Sequence, residues 1–287
     1  MNDTVKILVD LLDLEPIEHN LYRGNSRDIG GKSVYGGQVL GQALMAAGRT
    51  VEGRHAHSIH AYFLRPGDMS APIVFDVDRI RDGKSFTTRR VVAIQHGRPI
   101  FNMAASFQVA EEGVEHQDEM PDVVGPDELP SELELRKMVV NLVPEKFHKV
   151  FLQPQPIEFR PVDPVNPFQP DKRPPQNYVW FRADGKLPDD VSIHQSILAY
   201  ASDYGLLVTS MLPHGLSLMQ RNVQVASIDH AMWFHRPFRA DEWMLYATDS
   251  PSAGNSRGFT RGSIFSRDGT LIASVAQEGL IRLRLDT

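Results

Sequence analysis

The sequence contains no cysteine among its 287 residues. This absence excludes disulfide bonds, thiolate metal ligands and a cysteine nucleophile. Any covalent catalysis must therefore use a hydroxyl, carboxylate, amine or imidazole group. The lack of cysteine also fits a reducing compartment, and we expect a cytoplasmic protein.

Long hydrophobic runs are missing as well. The first residues show no basic segment followed by an apolar run, so we expect no signal peptide. The most apolar stretch, residues 193–219, is interrupted by Asp203, Pro213 and His214, which argues against a membrane span. We therefore expect no membrane partner.

A surplus of basic residues is absent too, since 30 Lys and Arg stand against 36 Asp and Glu, for a formal net charge of -6. Because binding to phosphates needs a basic surface, this balance argues against nucleic acid as a partner. Hydrophobic residues make up 41% and charged residues 23%, which is typical of a globular protein. The length suits two domains of roughly 150 residues.

Periodicity and turn signals predict one series of elements twice: a strand, an apolar helix and four strands. In the first half, the helix at residues 38–51 is predicted to be buried on nearly all sides. In the second half, a capping box of Ser192 and Gln195 opens a helix that continues to about Met211. The predicted strands lie at residues 20–26, 57–64, 73–80, 86–95 and 99–109, and again at 178–182, 223–235, 244–249, 258–266 and 271–284.

A repeat at the residue level supports this interpretation. The segment Tyr62-Phe63-Leu64-Arg65-Pro66 matches Trp233-Phe234-His235-Arg236-Pro237, which lies 171 residues later. A period this long indicates a duplicated domain rather than a solenoid. We predict an α+β protein in which each half is an antiparallel sheet wrapped round a long central helix. The predicted boundaries are residues 1–115 for the N-terminal domain, 116–170 for a linker with a helix near 131–150, and 171–287 for the C-terminal domain.

Two motif-like patterns lack the context that their usual functions need. Gly254-Asn255-Ser256-Arg257-Gly258 matches the letters of a nucleophile elbow, but strands surround it and no histidine follows His235. Gly31-Lys32-Ser33 resembles the end of a P-loop, but Ser26 stands where the first glycine is required. We interpret both as turns or loops.

The histidines of the first half do not predict a metal site. His55 and His57 share a strand face, His60 points the other way, and no third ligand follows at a suitable spacing. We therefore expect no metal. His57 remains a weak candidate for substrate binding, because it is a polar residue on an otherwise apolar strand.

The two halves differ in the polar residues that they carry. The first helix contains no carboxylate, whereas the second contains Asp203 among small and apolar neighbours. At the repeat offset Ser227 corresponds to Ala56, and Gln277 corresponds to Ala105 or, with a shift of one residue, to Ser106. The gain of an acid, a hydroxyl and an amide in one copy predicts a single active site in the later half.

The sequence resembles the acyl-CoA thioesterase II family, the double-hotdog thioesterases, over nearly its whole length. The residues that carry the resemblance are Tyr35-Gly36-Gly37-Gln38, the segment from His60 to Gly67, the segment from Ile228 to Phe238, the segment from Ser256 to Gly262, and Ala276-Gln277-Glu278-Gly279.

The resemblance implies two hotdog domains in one chain and hydrolysis of fatty acyl-CoA to free fatty acid and CoA. It also implies a catalytic acid, hydroxyl and amide, which fall here on Asp203, Ser227 and Gln277. Asp203 would assist attack of water on the thioester. Gly36 and Gly37 join His57 as candidates for substrate binding, no cofactor is expected, and we expect a homo-oligomer, either a dimer or a tetramer.

Two alternatives remain open. One is a hotdog enoyl-CoA hydratase or dehydratase, which would need a histidine as its acid-base group. The other is a non-catalytic acyl-CoA-binding protein, which would keep the acyl site but lose the catalytic residues. A nucleophilic Ser227 is disfavoured because the sequence offers no evident histidine as its base.

Overall fold

The computed structural model describes residues 3–284. This part of the chain forms one antiparallel sheet of 13 strands, with two helices packed side by side against it. The predicted α+β architecture with one central helix per half is therefore confirmed.

The first half begins with a short amphipathic helix and a short strand, Glu15–Glu18, which was not predicted, and then follows the predicted series. The apolar side of the first helix packs into the main core through Val5, Leu8 and Leu12. Its elements are α1 (Asp3–Leu12), β1 (Glu15–Glu18), β2 (Leu21–Gly24), α2 (Gly36–Gly48), β3 (His55–Phe63), β4 (Ile73–Asp82), β5 (Phe86–Gln95) and β6 (Arg98–Gln108).

The second half repeats this series with insertions. Its elements are α3 (Glu132–Val139), α4 (His148–Phe151), β7 (Ile157–Pro161), β8 (Gln176–Ala183), α5 (Val191–Ser202), α6 (Leu206–Thr209), β9 (Val223–Ser227), β10 (Asp229–Phe234), β11 (Met244–Gly254), β12 (Arg257–Ser266) and β13 (Leu271–Leu283).

The order of strands shows the duplication. It runs β1-β2-β4-β5-β6-β3-β10-β13-β12-β11-β8-β7, with β9 paired to β13 outside this path. The halves meet at the pair β3–β10, where Met232 lies opposite Ile59. On either side of this junction the neighbours follow in equivalent order, so the two halves share one sheet.

The two central helices approach each other closely through glycines of α2. A methyl group on Gly41 would lie 2.7 Å from the backbone oxygen of Ser196, and one on Gly37 would overlap the backbone oxygen of Tyr200. Because these contacts are to backbone atoms, they hold the helices at a distance that side chains would not allow. Residues Gly37 to Ala47 of α2 are all buried, as predicted.

The helix of the second half is shorter than predicted. It is capped by Asp190, whose side chain accepts a hydrogen bond from Ser192 N, so the predicted capping box of Ser192 and Gln195 is wrong. Gln195 instead bonds both backbone groups of Ala56 in β3. The helix ends at Ser202, and Gly205 adopts a left-handed φ of 72° before a short α6, so it does not continue to Met211.

The predicted linker has more structure than a single helix. In place of the single helix predicted near residues 131–150, the structure has α3, followed by short helical turns and α4. Strand β7, which the sequence analysis missed, pairs with β8 at the edge of the sheet. The domain boundaries themselves remain a prediction.

The remaining corrections concern strand ends and turns. The strand predicted at residues 223–235 is interrupted at Ile228, which separates β9 from β10. Asn255 and Ser256 have positive φ angles of 51° and 59° in the hairpin turn between β11 and β12, in agreement with their interpretation as a turn. Among residues 3–284, no helix is long and apolar enough to cross a bilayer.

Candidate active site

Asp203 lies at the C-terminal end of α5, where the central helix stops. Two phenols fix the preceding turn: Tyr246 donates a hydrogen bond of 2.9 Å to the carbonyl oxygen of Ser202, and Tyr35 donates one of 2.9 Å to that of Tyr200. Because these carbonyls have no partner within the helix, the phenols replace water at a buried helix end. The half-buried carboxylate of Asp203 is thereby held at a fixed place.

Ser227 and Gln277 both donate to one oxygen of Asp203. The hydroxyl of Ser227 lies 3.3 Å from Oδ1, and Nε2 of Gln277 lies 2.9 Å from the same atom. Ser227 ends β9 and Gln277 lies in β13, so the sheet brings together residues that are far apart in sequence. The acid, hydroxyl and amide singled out in the sequence form one cluster.

The second oxygen of Asp203 faces the first residue of the other central helix. A methyl group on Gly36 would lie 2.8 Å from Oδ2 and 2.9 Å from Cε1 of Phe63. Helix α2 starts here with no side-chain cap, and its first N–H groups have no partner within the helix. These N–H groups and the helix dipole make this a favourable place for developing negative charge.

The glycines predicted to bind substrate therefore differ in their surroundings. Gly36 borders the carboxylate directly, and only a residue without a side chain leaves space there. Gly37 is buried against the backbone of Tyr200. Its missing side chain allows the two helices to pack closely, so only its N–H group could serve the site.

Two tyrosines beside the carboxylate stay protonated. Burial, and after it the nearby charge of Asp203, raises the pKa of Tyr35 well above its usual value. The same two causes raise the pKa of Tyr246. Both phenols therefore remain hydrogen-bond donors over the whole physiological pH range.

His57 does not join this cluster. Its Nε2 lies 2.7 Å from Oγ of Ser106, and its ring packs edge-to-face on Phe86. Burial lowers the pKa of His57. From His57 to Phe63 the strand rises about 20 Å, so His57 lies at the opposite end of β3 from Asp203. Its role in substrate binding stays a prediction that no contact with the cluster supports.

The sequence analysis missed His230 as a residue of this region. His230 is fully buried in β10, and its Nε2 lies 3.0 Å from Oγ of Ser202. Burial lowers the pKa of His230, although Asp203 and Gln277 act in the opposite direction. A signal existed in the sequence, because the repeat offset places apolar Ile59 at the position equivalent to this histidine.

Comparison with known proteins shows the family to which this chain belongs. Residues 25–108 match the model of the acyl-CoA thioesterase N-terminal domain, and residues 148–280 match the model of acyl-CoA thioesterase. The chain is 44% identical to acyl-CoA thioesterase 2 of Haemophilus influenzae over 98% of its own length and 99% of that protein. The chain belongs to the acyl-CoA thioesterase family.

Solved structures agree with this assignment. The crystal structure of the acyl-CoA thioesterase II TesB2 from Mycobacterium marinum is 44% identical and covers 98% of this chain and 99% of its own, with a TM-score of 0.78. A hot dog fold protein of unknown function from Alicyclobacillus acidocaldarius, 18% identical, covers 97% and 99% with a TM-score of 0.77. The predicted double hotdog fold is therefore confirmed.

Proposed function

We propose that this protein is an acyl-CoA hydrolase that converts fatty acyl-CoA to free fatty acid and CoA, with Asp203 assisting the attack of water. The observation that carries the proposal is the unequal use of the two carboxylate oxygens. Oδ1 accepts from both Ser227 and Gln277, while Oδ2 faces the start of α2. Oδ2 is thus free to accept a proton from a water molecule.

The chemistry follows from this arrangement. A thioester carbonyl is electrophilic, so a water that loses a proton to Oδ2 of Asp203 can attack the carbonyl carbon. The negative charge that develops on the carbonyl oxygen meets the N–H groups at the start of α2, including that of Gly36. When the tetrahedral species collapses, the C–S bond breaks and the proton held by Asp203 passes to the leaving sulfur.

Ser227 and Gln277 act on the carboxylate in this mechanism. Their two hydrogen bonds orient Asp203 so that Oδ2 points to the water. A nucleophilic Ser227 is disfavoured, because the nearby histidine, His230, bonds Ser202 and not Ser227. The alternative hydratase would need that histidine to reach the substrate, and His230 is fully buried.

The names of the two relatives that are 44% identical support acyl-CoA as the substrate, since both are described as acyl-CoA thioesterases. We further propose a cytoplasmic homo-oligomer without a cofactor. Support for self-association comes from the two outer strands of the sheet, β1 and β7, whose free edges can pair or be covered. Light scattering on the purified protein measures the oligomeric state.

The test of the proposal is release of thiol from acyl-CoA of short, medium and long chains. A thiol-reactive chromogen can follow it without background, because the protein has no cysteine. We expect Asp203→Asn to lower kcat by roughly 10²- to 10⁴-fold, the usual contribution of a general base, without loss of the fold.

Asp229→Asn is the matched control for this substitution. Asp229 is a half-buried carboxylate nearby that accepts a hydrogen bond of 2.7 Å from Glu278 N, which an asparagine oxygen can also accept. We expect it to keep kcat within about threefold of the wild type. Absence of thiol release from all acyl-CoA chains, or hydration of an enoyl-CoA instead, would contradict the proposed function.

A further inference from the structure

The strand pair β10–β13 places a histidine directly beside the amide of the active site. Ala231 lies opposite Ala276 in this pair. One step along the antiparallel register brings His230 opposite Gln277. His230 is 0% exposed and Gln277 is 1% exposed, so the two side chains share a dry environment.

Each of these side chains has one buried polar atom without a hydrogen bond to any described residue. These atoms are Nδ1 of His230 and Oε1 of Gln277. The carboxylate of Asp203 can only accept, so the amide must present Nε2 to it and turn its oxygen away. A buried amide oxygen needs a donor, and Nδ1–H of the facing histidine can supply it.

The other hydrogen bond of the histidine is consistent with this direction. Burial lowers the pKa of His230, so the ring is neutral and carries a single N–H. With that proton on Nδ1, Nε2 accepts from the hydroxyl of Ser202 at 3.0 Å. The same hydroxyl lies 2.9 Å from the carbonyl oxygen of Ala199, so its single proton can be donated to either of two acceptors.

The first half of the molecule provides an internal comparison. The pair equivalent to His230 and Gln277 is Ile59 and Ala105, which lie opposite each other in β3 and β6. Both are buried, at 0% and 1% exposure. An apolar pair therefore packs well at this place in the fold, and the polar pair occurs only in the half that carries Asp203.

We propose that His230 is a positioning residue: although the structure contains no hydrogen bond between the two atoms, its Nδ1–H donates to Oε1 of Gln277 in the working enzyme and thereby holds Nε2 of the amide against Asp203. Without this donor the amide can rotate by half a turn and present Oε1 to the carboxylate, which repels it. The inference deepens the proposed function and depends on it. His230 acts through Gln277 and does not touch the substrate.

Two substitutions of His230 distinguish the roles of its two ring nitrogens. An asparagine places its amide nitrogen as many bonds from Cα as Nδ1, whereas a glutamine places its nitrogen at the position of Nε2. We expect His230→Asn to keep kcat within about threefold. We expect His230→Gln to lower kcat roughly 10- to 100-fold with KM within about threefold, because the bond between Gln277 and Asp203 is lost.

Thr260→Val is the matched control, because Thr260 lies opposite Gln277 on the other side, in β12, and its buried hydroxyl also lacks a partner among the described residues. Valine has the same shape without the hydroxyl, and we expect kcat within about twofold. If Thr260→Val lowers kcat as much as His230→Gln, the threonine is the donor and the proposal is wrong.

A double-mutant cycle tests positioning against a general structural role. In a Gln277→Ala background, His230→Gln should change kcat by less than about twofold, because the amide that it orients is gone. The proposal would be overturned if His230→Gln and Gln277→Ala lowered kcat independently, so that their fold-changes multiply in the double variant. It would also be overturned if His230→Asn were as impaired as His230→Gln. Thermal unfolding of each variant confirms that folded protein is assayed. A wild-type enzyme that releases no thiol contradicts the proposed function instead, before any variant is compared.

Discussion

Two unlike donors meet at one oxygen of Asp203, and each has a separate consequence for activity. The hydroxyl of Ser227 lies 3.3 Å from Oδ1 at the end of a short side chain, whereas the amide of Gln277 lies 2.9 Å from the same atom at the end of a longer one. Because both leave Oδ2 free, we propose that the hydroxyl orients Asp203 and takes no direct part in the reaction. This distinction can be tested by changing the hydroxyl and its shape independently.

Threonine and valine at position 227 have the same shape, and only threonine has a hydroxyl. We expect Ser227→Thr to keep kcat within about threefold. Ser227→Val should lose a hydrogen bond to a charged group, about 1.5–3 kcal/mol, which corresponds to roughly a 10- to 100-fold lower kcat. Steady-state kinetics with one acyl-CoA measures both. Equal activity of the two variants would show that the hydroxyl does not orient Asp203.

The sequence predicted the members of this cluster but not their geometry. Comparison of the halves predicted Asp203, Ser227 and Gln277 as polar gains of the later copy, and the family resemblance implied their catalytic roles. His230 also replaces an apolar residue, Ile59, yet it was not proposed. Which atoms of the cluster face each other depends on strand register, which one sequence does not specify at a resolution of single residues.

At the scale of elements, the two central helices depend on glycines for different reasons. A methyl group on Gly41 would lie 2.7 Å from the backbone oxygen of Ser196, so it would push α5 away. A methyl group on Gly48, at the end of α2, would have no atom within 4 Å. The same substitution should therefore change stability in opposite directions.

We expect Gly48→Ala to stabilise the protein by about 0.5–1 kcal/mol, because alanine loses less backbone entropy in a helix. Gly41→Ala gains the same term but overpacks the interface at a cost of about 1–3 kcal/mol, so it should destabilise the protein. Urea denaturation of the two variants provides the measurement. A stabilised Gly41→Ala would mean that the helices can separate at little cost.

The ends of elements were the least predictable part of the fold. Alternation and helical periodicity located the strands and both central helices, because burial on one face leaves that pattern. The end of α5 at Ser202 was not predicted, because the apolar pattern resumes in α6 only a few residues later. Strand β7 was missed because it is short and surrounded by prolines.

At the scale of the whole molecule, duplication without symmetry explains why one active site is proposed for the chain. A cavity of about 170 Å³ lies at the opposite end of the helix pair, lined among others by Gly48, Ala56 and Ser192. Ala56 is the counterpart of Ser227, Gly48 is the last residue of α2 as Ser202 is of α5, and Ser192 lies at the start of α5 as Gly36 does in α2. The cavity thus repeats the position of the active site without its carboxylate and hydroxyl.

The fold as a whole also buries histidines that resist protonation. Burial is the main cause that lowers the pKa of His57, His194 and His230. In the unfolded chain each takes up a proton near pH 6.5, so below that pH the unfolded state binds more protons than the folded state. The free energy of unfolding is therefore fully retained above about pH 6.5 and falls as the pH decreases.

Carboxylates affect stability in a lower range of pH. The pKa of Asp68 and of Asp241 is lowered to about 2, so their contribution is lost only below about pH 4, the usual pKa of the unfolded side chain. Asp229 has the opposite sign, because burial raises its pKa, and protonation just above pH 4 favours the fold. Between about pH 6.5 and pH 5 the histidines therefore dominate.

We expect the urea midpoint to fall steadily between pH 7.5 and pH 5. His194→Asn should make this dependence shallower, because Nδ1 of His194 accepts from Ala240 N at 3.0 Å, and an asparagine oxygen can accept the same bond without titrating. At pH 7.5 the two urea midpoints should lie close together, and below about pH 6.5 the midpoint of the variant should stay above that of the wild type. A midpoint that stays constant from pH 7.5 to pH 5 would show that these histidines titrate in the fold as they do in the unfolded chain.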